Sequence, residues 1–426
     1  MLEKILNIGR KIIPKSIFRK AQPIYHYAIA LLGALIYRFP SRRIKVIGVT
    51  GTKGKTSTVE MTNAILEKAG YKTAILGTLR FKIDKESKPN MYKMSMPGRF
   101  FVQNFIHKAV KAKCDYIIIE MTSEGARQFR NRFIDMDAFI FTNLSPEHIE
   151  SHGSYEKYVN AKLSIARCLP RSKKNRKIMI INGDDKEATK FTAITGVERY
   201  VYHINDGAPY STTSENATFT WKGVPVKLNV PGVFNIYNAL AASTLADTQN
   251  ISPETIKNGL ENLKEIKGRA QKIVVENTNK KQDFDVIVDY AHTGESLKAI
   301  YNAFDDKKKI CVLGNTGGGR DKWKRPEMGS IADNMCDVVI LTNEDPYDED
   351  PESIVNDMVT GIKKHTPEII MDRRLAIHRA IKLAKTGDAV IITGKGTDPY
   401  IMEKNNKRTP WSDEKVAKEE LQKILG

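Results

Sequence analysis

The chain has 426 residues, four cysteines and a formal charge of +18. That length allows two or three domains with buried cores, and the positive excess points to nucleic acid, an anionic membrane surface or polyanionic substrates. Cys114, Cys168, Cys311 and Cys336 form no close pair, which argues against a disulfide framework or a zinc ribbon and fits a reducing cytoplasm.

Residues 1–43 carry nine Lys or Arg and one acid, a net charge of +8. Leu2, Ile5, Leu6, Ile12 and Ile13 fall on one helical face, and Pro14 ends that helix. Ile24 to Tyr37 is a nearly uncharged apolar run closed by Arg38, Pro40, Arg42 and Arg43. Such a run is too short to span a bilayer, which needs about 20 residues. A basic amphipathic helix followed by a short apolar one reads in two ways: an anchor at a membrane surface, or two helices packed on the domain that follows.

From Ile44 the pattern alternates strands and helices. Strands are expected at Lys45–Val49, Thr73–Gly77, Asp115–Glu120, Ala138–Thr142 and Lys177–Asn182, with helices at Thr56–Ala69, Gly98–Ala112 and Tyr155–Cys168. This is βαβ order, which gives a mostly parallel sheet with helices on both faces. Residues 199–230 are Thr-, Tyr- and Val-rich, broken by Asp206-Gly207 and Lys222-Gly223, and predict a small antiparallel insertion. Helices follow at Phe234–Asp247 and Pro253–Asn262. Gly268-Arg269 reads as a domain boundary. A second α/β unit then has strands at Lys272–Glu276, Asp285–Asp289, Lys309–Leu313, Val338–Thr342 and Ala389–Thr393, with a last helix at Asp413–Leu425. The expected division is a leader over 1–43, a P-loop ATPase domain over 44–267 and a doubly wound, Rossmann-like domain over 268–426.

The most specific stretch is Val46-Ile-Gly-Val-Thr50-Gly-Thr-Lys-Gly-Lys55-Thr-Ser-Thr58. It has the order strand, glycine turn, Lys-Thr, helix of a phosphate-binding P-loop, although Val49 stands where the usual pattern has glycine. Gly51 and Gly54 let backbone N–H groups turn inward, and the new helix aims its positive end at phosphates. Thr52, Lys53 and Ser57 complete the cradle. Lys55 can reach the β- and γ-phosphates, and the Thr56 hydroxyl can ligate magnesium.

Glu120 ends a buried strand, where ligands of parallel sheets bind; it either holds magnesium or caps the next helix. The segment Thr142-Asn-Leu-Ser-Pro-Glu-His148-Ile-Glu-Ser-His152-Gly153 also follows a strand end. Its two histidines and two acids suggest a second metal or phosphate site. Lys162, on the next helix, reads by itself as a solvated lysine.

Together these stretches resemble the Mur ligase family, over roughly residues 44–426. The family's Thr-Gly-Thr-Asn-Gly-Lys-Thr appears as Thr50 to Thr56, and its Thr-Asn-Leu-Ser-Arg-Asp-His-Leu-Asp-Tyr-His-Gly as Thr142 to Gly153 with Pro146-Glu147 for Arg-Asp. Later motifs keep the family's order. Pro231 to Asn238 resembles a helix start whose Asn235 and Asn238 face the nucleotide. Gly268-Arg269 resembles the linker whose arginine approaches the phosphates. Asp289-Tyr-Ala-His292 resembles the motif whose aspartate meets the ribose. Gly317 to Arg325, with Arg320, and Gly394-Lys-Gly396 resemble parts of the amino-acid site. By this resemblance Glu120, His148 and a carbamylated Lys162 would support magnesium, and Lys55, Lys162, Arg269 and His148 would carry catalysis.

The resemblance implies ATP and magnesium as cofactors and an acyl-phosphate mechanism. A muramoyl-peptide acceptor and a free amino acid would be joined by a cytoplasmic monomer. Residues 1–43, on their own composition, add an anionic membrane surface as a candidate partner, and no nucleic acid is expected. There are departures. The family's N-terminal uridine-diphosphate domain is not seen ahead of Ile44. Glu-Val-Ser-Ser-His-Ala is Glu120-Met-Thr-Ser123-Glu124-Gly, and Thr-Thr-Pro is Ser95-Met-Pro97. Asp-Asn-Pro-Arg, which reads diaminopimelate, is Glu344-Asp345-Pro346-Tyr347, and the His-Glu after Gly-Lys-Gly is Thr397-Asp398. These changes bear on the acceptor, where Ser123 is expected, and on the added amino acid. Alternatives are a ligase of the same superfamily acting on a folate-like or lipid-linked acceptor, a P-loop nucleic-acid binder, for which no RNA or helix-turn-helix signature is present, and a membrane scaffold with decayed activity.

Overall fold

The structure, a computed structural model, describes residues 15–147, 149–276 and 278–426. The helix expected over residues 2–13, Pro14 and His148 therefore lie outside the described residues.

The first sheet contains β1 (Lys45–Thr50), β2 (Thr73–Leu76), β3 (Arg80–Ile83), β4 (Glu86–Pro89), β5 (Tyr116–Glu120), β6 (Ala138–Phe141), β7 (Ile178–Asn182) and β8 (Glu198–Tyr202). Their order is β4-β3-β2-β5-β1-β6-β7-β8. All pairs are parallel except β2–β3 and β3–β4. The apolar runs seen in sequence are buried on both faces, as a covered parallel sheet requires. Alternate residues serve different cores: Tyr116 and Ile118 join one cluster, Ile117 and Ile119 the other. The helix Lys55–Lys68 packs on the first face with Val233–Thr248 and Pro253–Glu261. Arg99–Lys111 and Tyr155–Ala166 cover the second.

Three short strands, β9 (Ser211–Thr212), β10 (Ala217–Trp221) and β11 (Val224–Leu228), form the antiparallel insertion. The insertion begins later than expected. Residues 198–202 instead close the edge of the main sheet, where buried Tyr202 pairs in register with Asn182.

The second sheet contains β12 (Gln271–Lys272), β13 (Asp285–Val288), β14 (Lys309–Leu313), β15 (Val338–Leu341), β16 (Glu368–Ile369) and β17 (Ala389–Ile392), in the order β12-β13-β17-β14-β15-β16. It is doubly wound, with β12 antiparallel at one edge. Gly294–Asn302, Lys324–Met335 and Pro351–Val359 cover one face, and Arg373–Leu383 and Asp413–Leu425 the other. The strand expected over Lys272–Glu276 stops at Lys272, because the Gln282 side chain takes the Ile273 carbonyl (3.0 Å) and the Val275 N–H (3.4 Å). Two hairpins were not foreseen. One is β3–β4; the other is β18 (Tyr400–Glu403) with β19 (Lys407–Pro410). Glu86–Pro89 and Lys407–Pro410 are largely exposed and lack the apolar alternation that marks a strand.

Cys311 on β14 and Cys336, just before β15, are joined by a disulfide. This corrects the expectation drawn from their spacing. Neighbouring parallel strands need a long crossover between them, so residues 25 apart in sequence come together where β14 and the chain entering β15 lie side by side.

The apolar run near the N-terminus is part of one helix, Lys15–Ile36, that continues through Pro23. Ala30, Gly33 and Ala34 are buried, and Gly33 meets Phe100 and Gln103 of the helix Arg99–Lys111. Tyr27 lies edge-on to Phe129 and Phe133. The helix is thus docked by its small residues, while Ile24 (73%), Leu32 (46%), Leu35 (53%) and Ile36 (56%) stay exposed. Among the described residues no helix is long and apolar enough to cross a membrane.

Candidate active site

The site is built where strands end. Val49 on β1 is in register with Glu120 on β5, and Thr50 with Phe141 on β6. The phosphate loop, the Glu120 carboxylate and the segment after β6 therefore leave the sheet side by side. The second sheet brings its own strand ends to the same cleft: Asp289 after β13, Thr316 after β14, Glu344 after β15 and Gly394 after β17. The cleft has a volume of about 1330 Å³ and is lined from both sheets.

The phosphate loop is held from behind by Thr142 and Asn143. The Thr52 N–H donates to the Asn143 carbonyl (2.8 Å), and the Lys53 N–H to Asn143 Oδ1 (2.8 Å). Thr142 Oγ1 donates to the Lys53 carbonyl (2.7 Å). Thr52 Oγ1 meets the Tyr158 hydroxyl at 2.9 Å. Gly54 has φ +80°, and a Cβ there would lie 2.2 Å from Asn238 Oδ1. Asn238 also accepts from Thr58 Oγ1 (3.3 Å) and donates to Asn235 Oδ1 (3.3 Å). Asn235 and Asn238 thus brace the loop from the N-terminus of their helix. Lys55 Nζ folds back on the carbonyls of Gly51 and Thr52 (2.9 Å each). Burial lowers its pKa, opposed by Glu120 and Glu147. Ser57 is buried in the first helical turn.

Glu120 Oε2 accepts from Thr56 Oγ1 (3.1 Å) and the Thr78 N–H (3.0 Å), and Oε1 from Thr78 Oγ1 (2.9 Å). A carboxylate and a hydroxyl at the head of the phosphate loop are hard oxygen donors of the kind magnesium prefers, so Glu120 and Thr56 fit such an ion. The next helix is capped by Thr122, not by Glu120. Lys162 is not the solvated lysine that its sequence alone suggests. It is 2% exposed, and its Nζ donates to the Gly51 carbonyl (2.6 Å). Burial and the nearby Lys55 hold its pKa well below the usual lysine value.

Arg269 reaches across from the linker. Its Nη2 approaches Thr56 Oγ1 (3.4 Å), and its guanidinium lies 4.6 Å from the centre of the Tyr290 ring. Asp289 lines the cleft while accepting the N–H groups of Ala270 (2.7 Å) and Ala291 (2.6 Å), which fixes the linker. His292 Nε2 meets Glu147 Oε1 at 2.8 Å, and Glu147 also accepts from Lys53 Nζ (3.1 Å).

In the other lobe of the cleft, Glu344 accepts from Thr316 Oγ1 (2.7 Å), and burial raises its pKa. Gly394, at φ +105°, leaves the room Glu344 needs: a Cβ there would lie 2.4 Å from Glu344 Oε2. Asp345 accepts from Lys395 Nζ (2.7 Å) and Lys93 Nζ (2.7 Å), and Asp398 from Lys93 Nζ (2.9 Å). Tyr347 donates its N–H to the Met402 carbonyl (3.0 Å), with Arg320 above its ring at 5.9 Å.

The described residues of the predicted set gather around one cleft, with one correction. The acids and histidines of the segment after β6 do not form one site. Glu147 turns to Lys53 and His292, Glu150 accepts from the Lys322 N–H (3.1 Å), and His152 meets Ser123 Oγ (3.2 Å). Among the described residues no group of three or more His, Cys, Asp or Glu could hold a metal. Six of the nine residues 344–352 are acidic, and most of them serve structure. Asp348 accepts from the Asn405 N–H, Glu349 pairs with Arg325 and Lys322, and Asp350 caps the helix Pro351–Val359. Only Glu344 and Asp345 of these acids line the cleft. Sequence reasoning did not single out Thr78, Lys93, Asn143 or Lys395. Of these only Asn143 and Lys395 lie in a stretch that carries a motif.

Comparison with known proteins agrees with this geometry. Residues 49–246 match the Mur ligase middle domain, and residues 275–396 the Mur ligase, glutamate ligase domain. The chain is 36% identical over 388 residues to UDP-N-acetylmuramoyl-L-alanyl-D-glutamate--2,6-diaminopimelate ligase 1 of Clostridium acetobutylicum, covering 88% of this chain and 77% of that one. A solved structure of a ligase of that name superposes with a TM-score of 0.59 at 26% identity, over 90% of this chain and 79% of the other. Mycobacterium tuberculosis folylpolyglutamate synthase complexed with ADP shares the fold, with a TM-score of 0.66 at 17% identity over 86% of this chain and 91% of the other.

Gly54→Ala tests the phosphate loop. The added methyl would strike Asn238 in a backbone conformation that favours glycine. Titration with a fluorescent ATP analogue should show affinity at least about tenfold lower, with an unchanged circular dichroism spectrum. Wild-type affinity in this variant would contradict the assignment of the loop.

Proposed function

The chain belongs to the Mur ligase family of ATP-dependent, ADP-forming ligases, and from that premise we propose that it adds an amino acid to a muramoyl-peptide acceptor. The observation that carries this reading is Arg269. A linker arginine reaches the phosphate-loop Thr56 inside a cleft that also holds Asp345 and Asp398. The proposed division is 1–43, 44–267 and 268–426, with closure about Gly268 (φ +61°).

In the proposed reaction a carboxylate oxygen of the acceptor attacks the γ-phosphorus of ATP, and ADP leaves. The amine of the second substrate then attacks the acyl-phosphate carbonyl carbon, expels phosphate and loses a proton to solvent. Lys55 and Arg269 meet the charge that develops on the transferred phosphoryl group. Magnesium, held by Glu120 and Thr56, would supply further neutralisation there. Asn235 and Asn238 steady the loop under the nucleotide, Asp289 and His292 line its ribose side, and Ser123 faces the acceptor. Lys162, whose pKa is lowered by burial and by the nearby Lys55, gives up its proton more readily than an ordinary lysine. Once deprotonated, its amine adds carbon dioxide and releases a further proton, leaving a carbamate anion beside the metal ligands.

Tyr347 stands where relatives named for diaminopimelate would need an arginine for the distal carboxylate. We propose a dibasic amino acid such as L-lysine. The test is ADP release with uridine-linked and lipid-linked muramoyl peptides and folates, each offered L-lysine or meso-diaminopimelate. Release should need a muramoyl peptide together with L-lysine. Lys55→Ala and Lys162→Ala should each fall about 100-fold or more, and short carboxylates should restore part of the Lys162→Ala loss. Full activity in Lys55→Ala would overturn the ligase reading, a preference for diaminopimelate would overturn the choice of amino acid, and turnover of folates alone would move the acceptor to the folate-like class.

We further propose that the chain is a cytoplasmic monomer attached peripherally to the inner face of the membrane. The exposed stripe Ile24, Leu32, Leu35 and Ile36 supports this, flanked by Arg38, Arg42 and Arg43. Each basic residue near an anionic leaflet is worth about 1 kcal/mol. The full chain should float with anionic vesicles and be released by salt, whereas the Leu32→Glu/Leu35→Glu variant should not float. Failure of the full chain to float would remove the membrane from the account.

A further inference from the structure

The acidic pair of the amino-acid lobe is not empty of charge. Asp345 and Asp398 both come from the second α/β unit, and each meets two lysines. Lys395 is fully buried beneath them, 2.7 Å from Asp345 Oδ1 and 3.6 Å from Asp398 Oδ2. It comes from the same unit and also donates to the Tyr400 carbonyl (2.9 Å). Lys93 comes from the opposite wall of the cleft. Its Nζ donates to Asp345 Oδ2 (2.7 Å), Asp398 Oδ2 (2.9 Å) and the Tyr400 carbonyl (3.2 Å). Three acceptors around one nitrogen match the three donors of an ammonium. Burial, which by itself would lower the Lys93 pKa, is outweighed by Asp398 and Asp345, so the side chain stays charged.

The two lysines differ in how they are held. Lys395 is enclosed with its partners. Lys93 stands on the segment between β4 and the helix Arg99–Lys111, at φ +52°, beside exposed Met91, Tyr92 and Met94. Asn90 shapes that segment, donating to the carbonyls of Gly77 (2.9 Å) and Met94 (3.0 Å). Lys395 holds the pair from beneath, and the open position facing both carboxylates is reached by a primary ammonium on a flexible stem. A substrate ammonium of the same chemistry would need the same three acceptors.

We propose that Lys93 sets the side-chain charge selectivity of the amino-acid lobe, acting as a tethered ammonium that competes with an ammonium-bearing side chain for Asp345 and Asp398. Lys93 is a specificity-determining residue and takes no part in bond making. The proposal rests on the reading of this lobe as the amino-acid site. It makes the lobe's preference a balance between a tethered cation and a free one, which the acid count alone does not reveal.

The test compares L-lysine with L-norleucine, which has the same chain without the ammonium. Binding to the full chain is measured by calorimetry with ADP present, for the wild type, Lys93→Met, Lys93→Gln and Lys93→Arg. Removing the charge should tighten L-lysine relative to L-norleucine by about tenfold in both Lys93→Met and Lys93→Gln, and Lys93→Arg should keep the wild-type ratio. If both ligands shift together in the uncharged variants, or neither shifts, Lys93 only ties the two walls of the cleft and the proposal is overturned. ADP release measured in parallel on the wild type keeps the two failures apart. No release with any acceptor and amino acid overturns the ligase reading, whereas release with an unchanged binding ratio overturns only the role of Lys93.

Discussion

The register of β1 between β5 and β6 is the constraint on which the site depends. Because Val49 is level with Glu120 and Thr50 with Phe141, three chain segments leave the sheet at one height. A one-residue slip on either side would turn every side chain of that strand to the other face. It would bury the Glu120 carboxylate away from Thr56 and break the grip of Thr142 and Asn143 on the phosphate loop. The register is itself fixed by packing, since the alternate residues of these strands belong to two separate cores.

Charge is the second organising feature. Lys53, Lys55, Lys162 and Arg269 come together around the phosphate loop, opposed by Glu120 and Glu147. Several are buried, and burial disfavours the charged form. The direction of the shifts follows: Lys55 and Lys162 are both lowered. A polyanion entering the cleft would reverse that penalty, which is why so cationic a site suits a triphosphate. The other lobe answers the same problem locally, with Lys93 and Lys395 set against Asp345 and Asp398.

What the sequence makes legible is local. The phosphate loop can be read because glycine, lysine and threonine act within one turn, and Glu120 because it ends a buried strand. The two-sided sheets can be read from apolar runs separated by helical spacing. Contacts between distant segments cannot. Arg269 and Thr56 lie 213 residues apart, and Lys93 and Asp345 252 apart. Resemblance to a family supplied the first pair, and nothing supplied the second. Lys162 shows the opposite limit: alone it looks solvated, resemblance to a family places it near the magnesium, and the fold encloses it beside Gly51. The edge hairpins and the Cys311–Cys336 bridge were missed for a related reason, since exposed strands carry little apolar pattern and strand neighbours are not sequence neighbours.

The central claim is that this cleft couples ATP cleavage to amide formation through an acyl phosphate on the acceptor. The most direct measurement follows oxygen. The acceptor's terminal carboxylate is labelled with oxygen-18, the reaction is run to completion with ATP and the amino acid, and the released phosphate is weighed by mass spectrometry. The account predicts that each phosphate released carries one oxygen from the labelled carboxylate. Unlabelled phosphate would contradict it, because the γ-phosphoryl group would then have passed to water without ever joining the acceptor.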